Sequence, residues 1–264
     1  MHVHRRTADV DGRTRRFLVI APDIPGPRPD LLLFFHGSLQ SGSVMRRFTN
    51  GTFDELADAT NTVLVYPDGV DRHFNDCRSI LPVTARAESV DDVAFTAFLV
   101  EEMRREFGTD RTFACGYSNG GQMVLRLLFD APFSLTRACI FASTLGEGDN
   151  HAPSNPAGYR PTPLLFFHGT ADPYAPYEGG VAGLRYQGAA DAAHPQGAHH
   201  VHVAHHAGQG PLVLFLTHAT SLIPERSPSC IGRDGEDEQG RDRVEASVQQ
   251  DAGKQRTAPL VDPG

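Results

Sequence analysis

The pentapeptide Gly116-Tyr117-Ser118-Asn119-Gly120 sets a serine in a G-x-S-x-G pattern. Between a strand and a helix, that pattern lifts a serine hydroxyl above a sheet edge, where it can attack an electrophilic carbon. The context fits. TFAC (Thr112 to Cys115) reads as an apolar strand before the serine, and QMVLRLLF (Gln122 to Phe129) as a helix after it. Gly116, Gly120 and Gly121 supply the small residues that a tight strand-to-helix turn needs, because backbone passes close to backbone there. At the helix N-terminus, the Asn119 backbone N–H and the helix dipole can face an oxyanion formed beside Ser118.

A serine is a weak nucleophile until a base takes its proton and an acid orients that base. Asp172 in HGTADP follows an apolar strand and is the expected acid; Asp149 in GEGDN is the rival. The chain carries thirteen histidines. Where a nucleophile elbow is used in this way, the base follows the acid in chain order, so His36 is read as a brace for the loop behind the first buried strand. In that loop Ser38 or Leu39 would hold a second oxyanion amide, and Ser38 is carried forward. His218, after the apolar run PLVLFL and C-terminal to Asp172, is the expected base.

Around these residues the hydrophobic pattern predicts an α/β fold. Two alternating runs flank Asp11-Gly12, a hairpin signal. LLLFFHG, TVLVYP, TFAC, RACIFAS and PLLFFHG are unbroken apolar runs, as strands buried on both faces require. TFDELADATN is amphipathic through Phe53, Leu56 and Ala57. Ser89-x-x-Asp92 has capping-box spacing, and Val90, Val93, Ala94, Ala97 and Val100 recur at helical intervals behind it. Strands alternating with helices give a mainly parallel central sheet flanked by helices. The pattern divides the chain into a core at 1–180, a divergent His-rich remainder at 181–231 and a polar tail at 232–264, read as disordered because it holds few large apolar residues.

Composition excludes several function classes. A net charge of −8 argues against nucleic acid, whose phosphates need clustered Lys and Arg. No apolar run approaches the roughly 20 residues of a membrane span. The opening MHVHRRTADV has no apolar segment of the kind export signals carry. Cys77, Cys115, Cys139 and Cys230 show no CxxC spacing; Cys115 and Cys139 sit in apolar runs and read as small buried hydrophobes. His199, His200, His202, His205 and His206 include metal-like intervals, but no carboxylate or cysteine cluster accompanies them, so neither metal nor cofactor is expected.

HGSLQSG, VLVYPDG, HFNDC, SVDDVAF, GYSNGGQM and HGTADPYAPYEGG together resemble the polyhydroxybutyrate depolymerase and feruloyl esterase family of α/β-hydrolases, in the same order over roughly residues 10 to 180. The resemblance implies an α/β-hydrolase fold and a serine carboxylester hydrolase without cofactor. It implies Ser118 as nucleophile, Asp172 as acid, and oxyanion amides at Ser38 and Asn119. It also implies polyester oligomers or acyl esters of plant polysaccharide as substrates, and a family that is often secreted. In that family the base lies in a loop resembling G-G-G-H-T-W-P-G. This chain has no such loop and no tryptophan, and PLVLFLTHATSLIPE with His218 is the nearest match. Two alignments stay open: His218 is the base, or it matches an earlier position and Ser221 or Leu222 fills the base's slot. The corresponding rivals to an active esterase are a hydrolase-fold protein without a working base and an acyltransferase on the same fold. A shifted reading frame or a rearrangement after Gly180 would produce this break in character. A frame shift predicts a G-G-G-H motif in another frame of the coding DNA, and its absence from every frame refutes the shift.

Overall fold

The chain enters its sheet as a hairpin. In the computed structural model, β1 (His2–Val10) pairs antiparallel with β2 (Arg13–Ala21), from His2↔Ala21 to Val10↔Arg13. Asp11 and Gly12 join them with φ of 51° and 71°, two consecutive left-handed residues whose twist suits a two-residue hairpin turn. The structure describes residues 2–80, 82–146, 148–172, 174, 175, 177 and 212–216.

The remaining strands are β3 (Asp30–Phe35), β4 (Thr62–Pro67), β5 (Thr112–Tyr117), β6 (Arg137–Phe141), β7 (Leu164–His168) and β8 (Leu212–Leu216). Their order across the sheet is β1-β2-β4-β3-β5-β6-β7-β8. The five strands β3 to β7 are mutually parallel, with β2 antiparallel to β4 on one side and β8 antiparallel to β7 on the other. This is the mainly parallel sheet expected from the unbroken apolar runs. With the G-x-S-x-G pentapeptide spanning the junction of β5 and the following helix, it is an α/β-hydrolase fold.

Helices cover both faces: α1 (Gly42–Phe48), α2 (Thr52–Ala59), α3 (Thr84–Ala87), α4 (Asp92–Phe107) and α5 (Asn119–Asp130). Strand alternation sorts the core into two clusters. Leu31, Leu33, Phe35, Val63 and Val65 pack with Phe95, Leu99 and Met103 of α4 and with Met123, Val124 and Leu128 of α5. Leu18, Ile20, Phe34, Leu64 and Tyr66 pack on the other face with Met45 of α1 and Ala57 of α2. Ten of the twelve α5 residues are buried, so this helix is held by packing on nearly every side. Each large side chain buried this way contributes about 1.5–3 kcal/mol.

Two sequence expectations change. The helix behind Ser89 begins at Asp92, and its cap is Asp91, whose side chain accepts the Ala94 N–H at 2.8 Å. Ser89 lies outside the helix with φ of 49°, because the chain turns once more before the helix starts. The run PLVLFL is a strand as expected, but it runs against β7, with Leu212 opposite His168 and Leu216 opposite Leu164. Apart from β8, the segments 181–231 and 232–264 lie outside the described residues, as does Cys230.

The cap assignment has a direct test. Asp91→Ala should lower unfolding free energy by about 1 kcal/mol in urea titrations, whereas Ser89→Ala should shift it by less than about 0.5 kcal/mol.

Candidate active site

Ser118 is the N-cap of α5 and holds φ of 52° and ψ of −118°. For a residue with a Cβ this is a sparsely populated conformation, costing of order 1–3 kcal/mol. Its surroundings hold it there. The Ser118 N–H donates to the Phe141 carbonyl at 2.9 Å, and the Ser118 carbonyl accepts the Gln122 N–H at 3.1 Å. A Cβ on Gly120 would stand 2.2 Å from the Phe35 carbonyl oxygen and 2.6 Å from that of His36. One on Gly116 would stand 2.3 Å from the Gly120 oxygen. These approaches admit only glycine, and they press the start of α5 onto the ends of β3 and β5.

The loop after β3 lies beside this turn, with Tyr117 packed against Gly37. Three of its amides are engaged. Gly37 N–H donates to Gln40 Oε1 at 3.0 Å, Leu39 N–H to the Arg72 carbonyl at 3.0 Å, and Gln40 N–H to the Gly37 carbonyl at 3.2 Å. The Ser38 N–H has no such partner among the described residues, whereas the Leu39 N–H is taken. The Asn119 N–H opens α5, and the first amides of a helix have no carbonyl within the helix to bond.

His36 braces this arrangement. Its Nδ1 bonds the Gly37 carbonyl at 2.8 Å, so Nδ1 carries the proton, and Nε2 accepts the Gly69 N–H at 3.0 Å. The ring also packs against Phe74, 4.6 Å between centroids. Burial pushes His36 down from 6.5 to about 4, against the opposing pull of the Gly37 carbonyl and Asp68. Both ring nitrogens are committed, and the side chain is a fixed neutral strut between two loops.

Asp172 sits four residues past the end of β7. Its Oδ1 accepts the N–H groups of Tyr174 at 2.8 Å and Ala175 at 3.0 Å, and its own N–H donates to the Gly169 carbonyl at 3.2 Å. Oδ2 lies 4.0 Å from Nδ1 of His168, a buried neighbour that sequence reasoning did not single out. One carboxylate oxygen is thus anchored, and among the described residues the other accepts no hydrogen bond. Tyr117, Phe141 and Phe167 pair across β5, β6 and β7, so Ser118 and Asp172 leave the same sheet edge about two strand spacings, roughly 10 Å, apart. Asp149, the rival acid, is exposed in a short 3-10 turn at Gly148–Asn150. His218 lies outside the described residues, as do the histidines from His199 to His206.

A second group of residues at the site escaped sequence reasoning. The Asn119 side chain is folded away from the serine: Oδ1 accepts the Phe74 N–H at 2.8 Å, while Nδ2 donates to the Phe74 carbonyl at 3.1 Å and to Asp76 Oδ2 at 2.6 Å. Asp76 is buried and paired with Arg78 Nη2 at 2.7 Å and Arg86 Nη2 at 2.8 Å. Burial opposes its charge, but the two guanidinium groups prevail and hold its carboxyl below the ordinary range. The signal was the Asn-Asp pair in HFNDC, whose partner lies more than forty residues away in sequence.

Cys77, Cys115 and Cys139 are free thiols. The hydrogen bond to Cys139 and then burial raise Cys115 well above a normal thiol. Among the described residues no group of three or more His, Cys, Asp or Glu gathers as metal ligands would, and no helix is long and apolar enough to cross a membrane. A groove of about 920 Å³ lined by Phe53, Cys139, Leu165, Arg111 and Arg137 includes neither Ser118 nor Asp172.

Comparison with known proteins adds relatives to this geometry. No family model matches the chain. It is 33% identical over 183 residues to a protein named "Putative esterase NocK" from Nocardia uniformis subsp. tsuyamanensis, covering 66% of this chain and 50% of that one. It is 33% identical over 171 residues to a "Probable carboxylesterase" from Oryza sativa subsp. japonica, covering 59% of this chain and 72% of the relative. The chain therefore spans half the length of the first relative and most of the second. Among solved structures, esterase Est2 of the planctomycete Thermogutta terrifontis superposes with a TM-score of 0.49 at 20% identity, over 67% of this chain and 73% of that one.

The strut at His36 makes stability depend on acid. A neutral native imidazole and an unfolded one that titrates at 6.5 mean that the unfolded state binds the extra proton. This contribution is complete above pH 6.5 and is lost as pH falls toward about 4, amounting to about 3 kcal/mol. Urea midpoints measured across that window should fall less steeply with acid in His36→Asn than in the wild type; identical slopes would contradict the assignment.

Proposed function

Because this chain belongs to the esterase family of α/β-hydrolases, we propose that it is a serine carboxylic-ester hydrolase. The observation that carries the proposal is Ser118, held at positive φ on the N-terminus of α5 beside the open amides of Ser38 and Asn119. Ser118 Oγ attacks the ester carbonyl carbon while the base histidine takes its proton. The carbonyl oxygen, now negative, is met by the Ser38 and Asn119 N–H groups. The histidine then passes the proton to the departing alcohol, leaving an acyl-enzyme. Water, deprotonated by the same histidine, attacks the acyl carbon; the bond to Ser118 Oγ breaks, the histidine returns the proton to Oγ, and the acid is freed. Asp172 offers Oδ2 to orient the imidazole and balance its charge. The base in this scheme is His218, the histidine that follows Asp172 and a strand in chain order.

For substrates, the motifs from HGSLQSG to HGTADPYAPYEGG support polyhydroxyalkanoate-type oligoesters or feruloyl and acetyl esters, as small molecules or as polymer ends. Rates on 3-hydroxybutyrate oligomers and on methyl ferulate would separate the two classes.

One observation favours a second reading, a hydrolase-fold protein without a working base. The antiparallel β8 ends at Leu216, opposite Leu164, so the chain leaves it at the sheet edge away from Ser118. The two readings differ in the reactivity of one hydroxyl. On the esterase reading, a fluorophosphonate labels the wild-type chain at Ser118 and p-nitrophenyl butyrate is hydrolysed. Ser118→Ala should then lose both, with kcat down by about 10⁴ or more. A wild-type chain that neither reacts nor turns over establishes the second reading.

A further inference from the structure

Asn119 presents two chemically separate parts: a backbone N–H at the start of α5 and a side chain locked into the segment at Phe74 to Asp76. We propose that the Asn119 side chain and Asp76 are positioning residues, a clamp that fixes the Ser118–Asn119 peptide so that its N–H points at the developing oxyanion. The proposal rests on the esterase reading above and adds to it the part of the protein that sets the oxyanion donor.

Three observations carry it. The first is saturation: the Asn119 amide uses both N–H groups and its oxygen on Phe74 and Asp76. The side chain therefore has one orientation. The second is that the gripping segment is itself immobilised from the far side. Asn75 N–H donates to Asp92 Oδ2 at 2.7 Å and Asn75 Nδ2 to the Val90 carbonyl at 2.9 Å, while on the near side Arg126 of α5 donates Nη1 to the Asn75 carbonyl at 2.5 Å. Asp92 is in turn paired with Arg15 at 2.5 Å, both side chains buried. The clamp has a fixed anchor in α4 and β2.

The third concerns charge and strain. A buried carboxylate close to an oxyanion site would oppose the negative charge of the reaction, yet Asp76 faces two guanidinium groups, Arg78 and Arg86. The cluster leaves the helix N-terminus on the positive side. Ser118, meanwhile, combines φ of 52° with ψ of −118°, and rotation of the peptide that follows it, which changes ψ, is the local way to relax toward the populated left-handed well. Such a rotation would swing the Asn119 N–H away from the reacting oxygen. With ten of its twelve residues buried, α5 is already secured by packing. The side-chain bonds of Asn119 act on the orientation of this one peptide.

The test uses Asn119→Ala and Asp76→Asn in the full chain, with melting temperature measured for each. Hydrolysis of p-nitrophenyl butyrate should show kcat reduced about 10- to 100-fold with KM within about twofold of wild type, as expected when a donor to the transition state is misaimed. Affinity for a trifluoromethyl ketone, whose adduct with Ser118 carries the tetrahedral oxyanion, should weaken by the same factor. A purely structural role would lower the melting temperature and leave the ketone affinity of the folded variants unchanged, and that result overturns the proposal. So does failure of both variants to fold, which would assign these bonds to folding alone. An inactive wild-type chain overturns the esterase reading and this proposal together; an active wild type with unaffected variants overturns this one alone.

Discussion

The close approach of two backbones at Gly120 is the constraint on which the site depends. The start of α5 lies so near the end of β3 that the carbonyls of Phe35 and His36 occupy the space a side chain would need. Next to that contact Ser118 holds its positive φ, and the loop at Ser38 follows directly from the same end of β3. Gly116 and Gly121 meet similar limits: a Cβ on Gly121 would stand 2.7 Å from that of Ser143. Ordinary hydrophobic packing could not hold a strained serine so closely; backbone contact can, because neither partner can rotate out of the way.

Around that contact the protein buries several charged and titratable groups, each with a partner. His36 is kept neutral between two loops, Asp76 lies between two arginines, and Asp92 meets Arg15. Removing one member of a buried ion pair typically costs 3–5 kcal/mol, because the other is left uncompensated. These groups converge on the residues from Asp68 to Asp92, a stretch with little regular structure of its own. Polar bonds tie this stretch to His36, to Asp92 at the start of α4 and to Asn119 at the start of α5.

Much of this was legible in the sequence. The unbroken apolar runs gave the parallel strands, because burial on both faces leaves no polar alternation. Asp11-Gly12 gave the first turn, because both residues accept positive φ. The serine stood out through its glycines, and Asp172 through its place after a strand. What was hidden has a common origin in direction and distance. Asp91 and Ser89 both suit a helix cap, and only the backbone angles tell them apart. A run such as LVLFL announces a strand without saying which way it points, so the reversal of β8 could not be foreseen. The bond from Asn119 to Asp76 links residues 43 apart, beyond any local pattern.

The double engagement of Asn119 also bears on how this protein could change. On the proposed reading, a residue whose side chain secures a loop while its own peptide faces the reaction ties two traits to one codon. Substitutions there that gain robustness by repacking against Phe74 would also re-aim the peptide, and so would alter turnover in the same step. Laboratory evolution toward heat tolerance would therefore find freer ground at the exposed positions of α4 than at the start of α5, where endurance and speed cannot be selected apart.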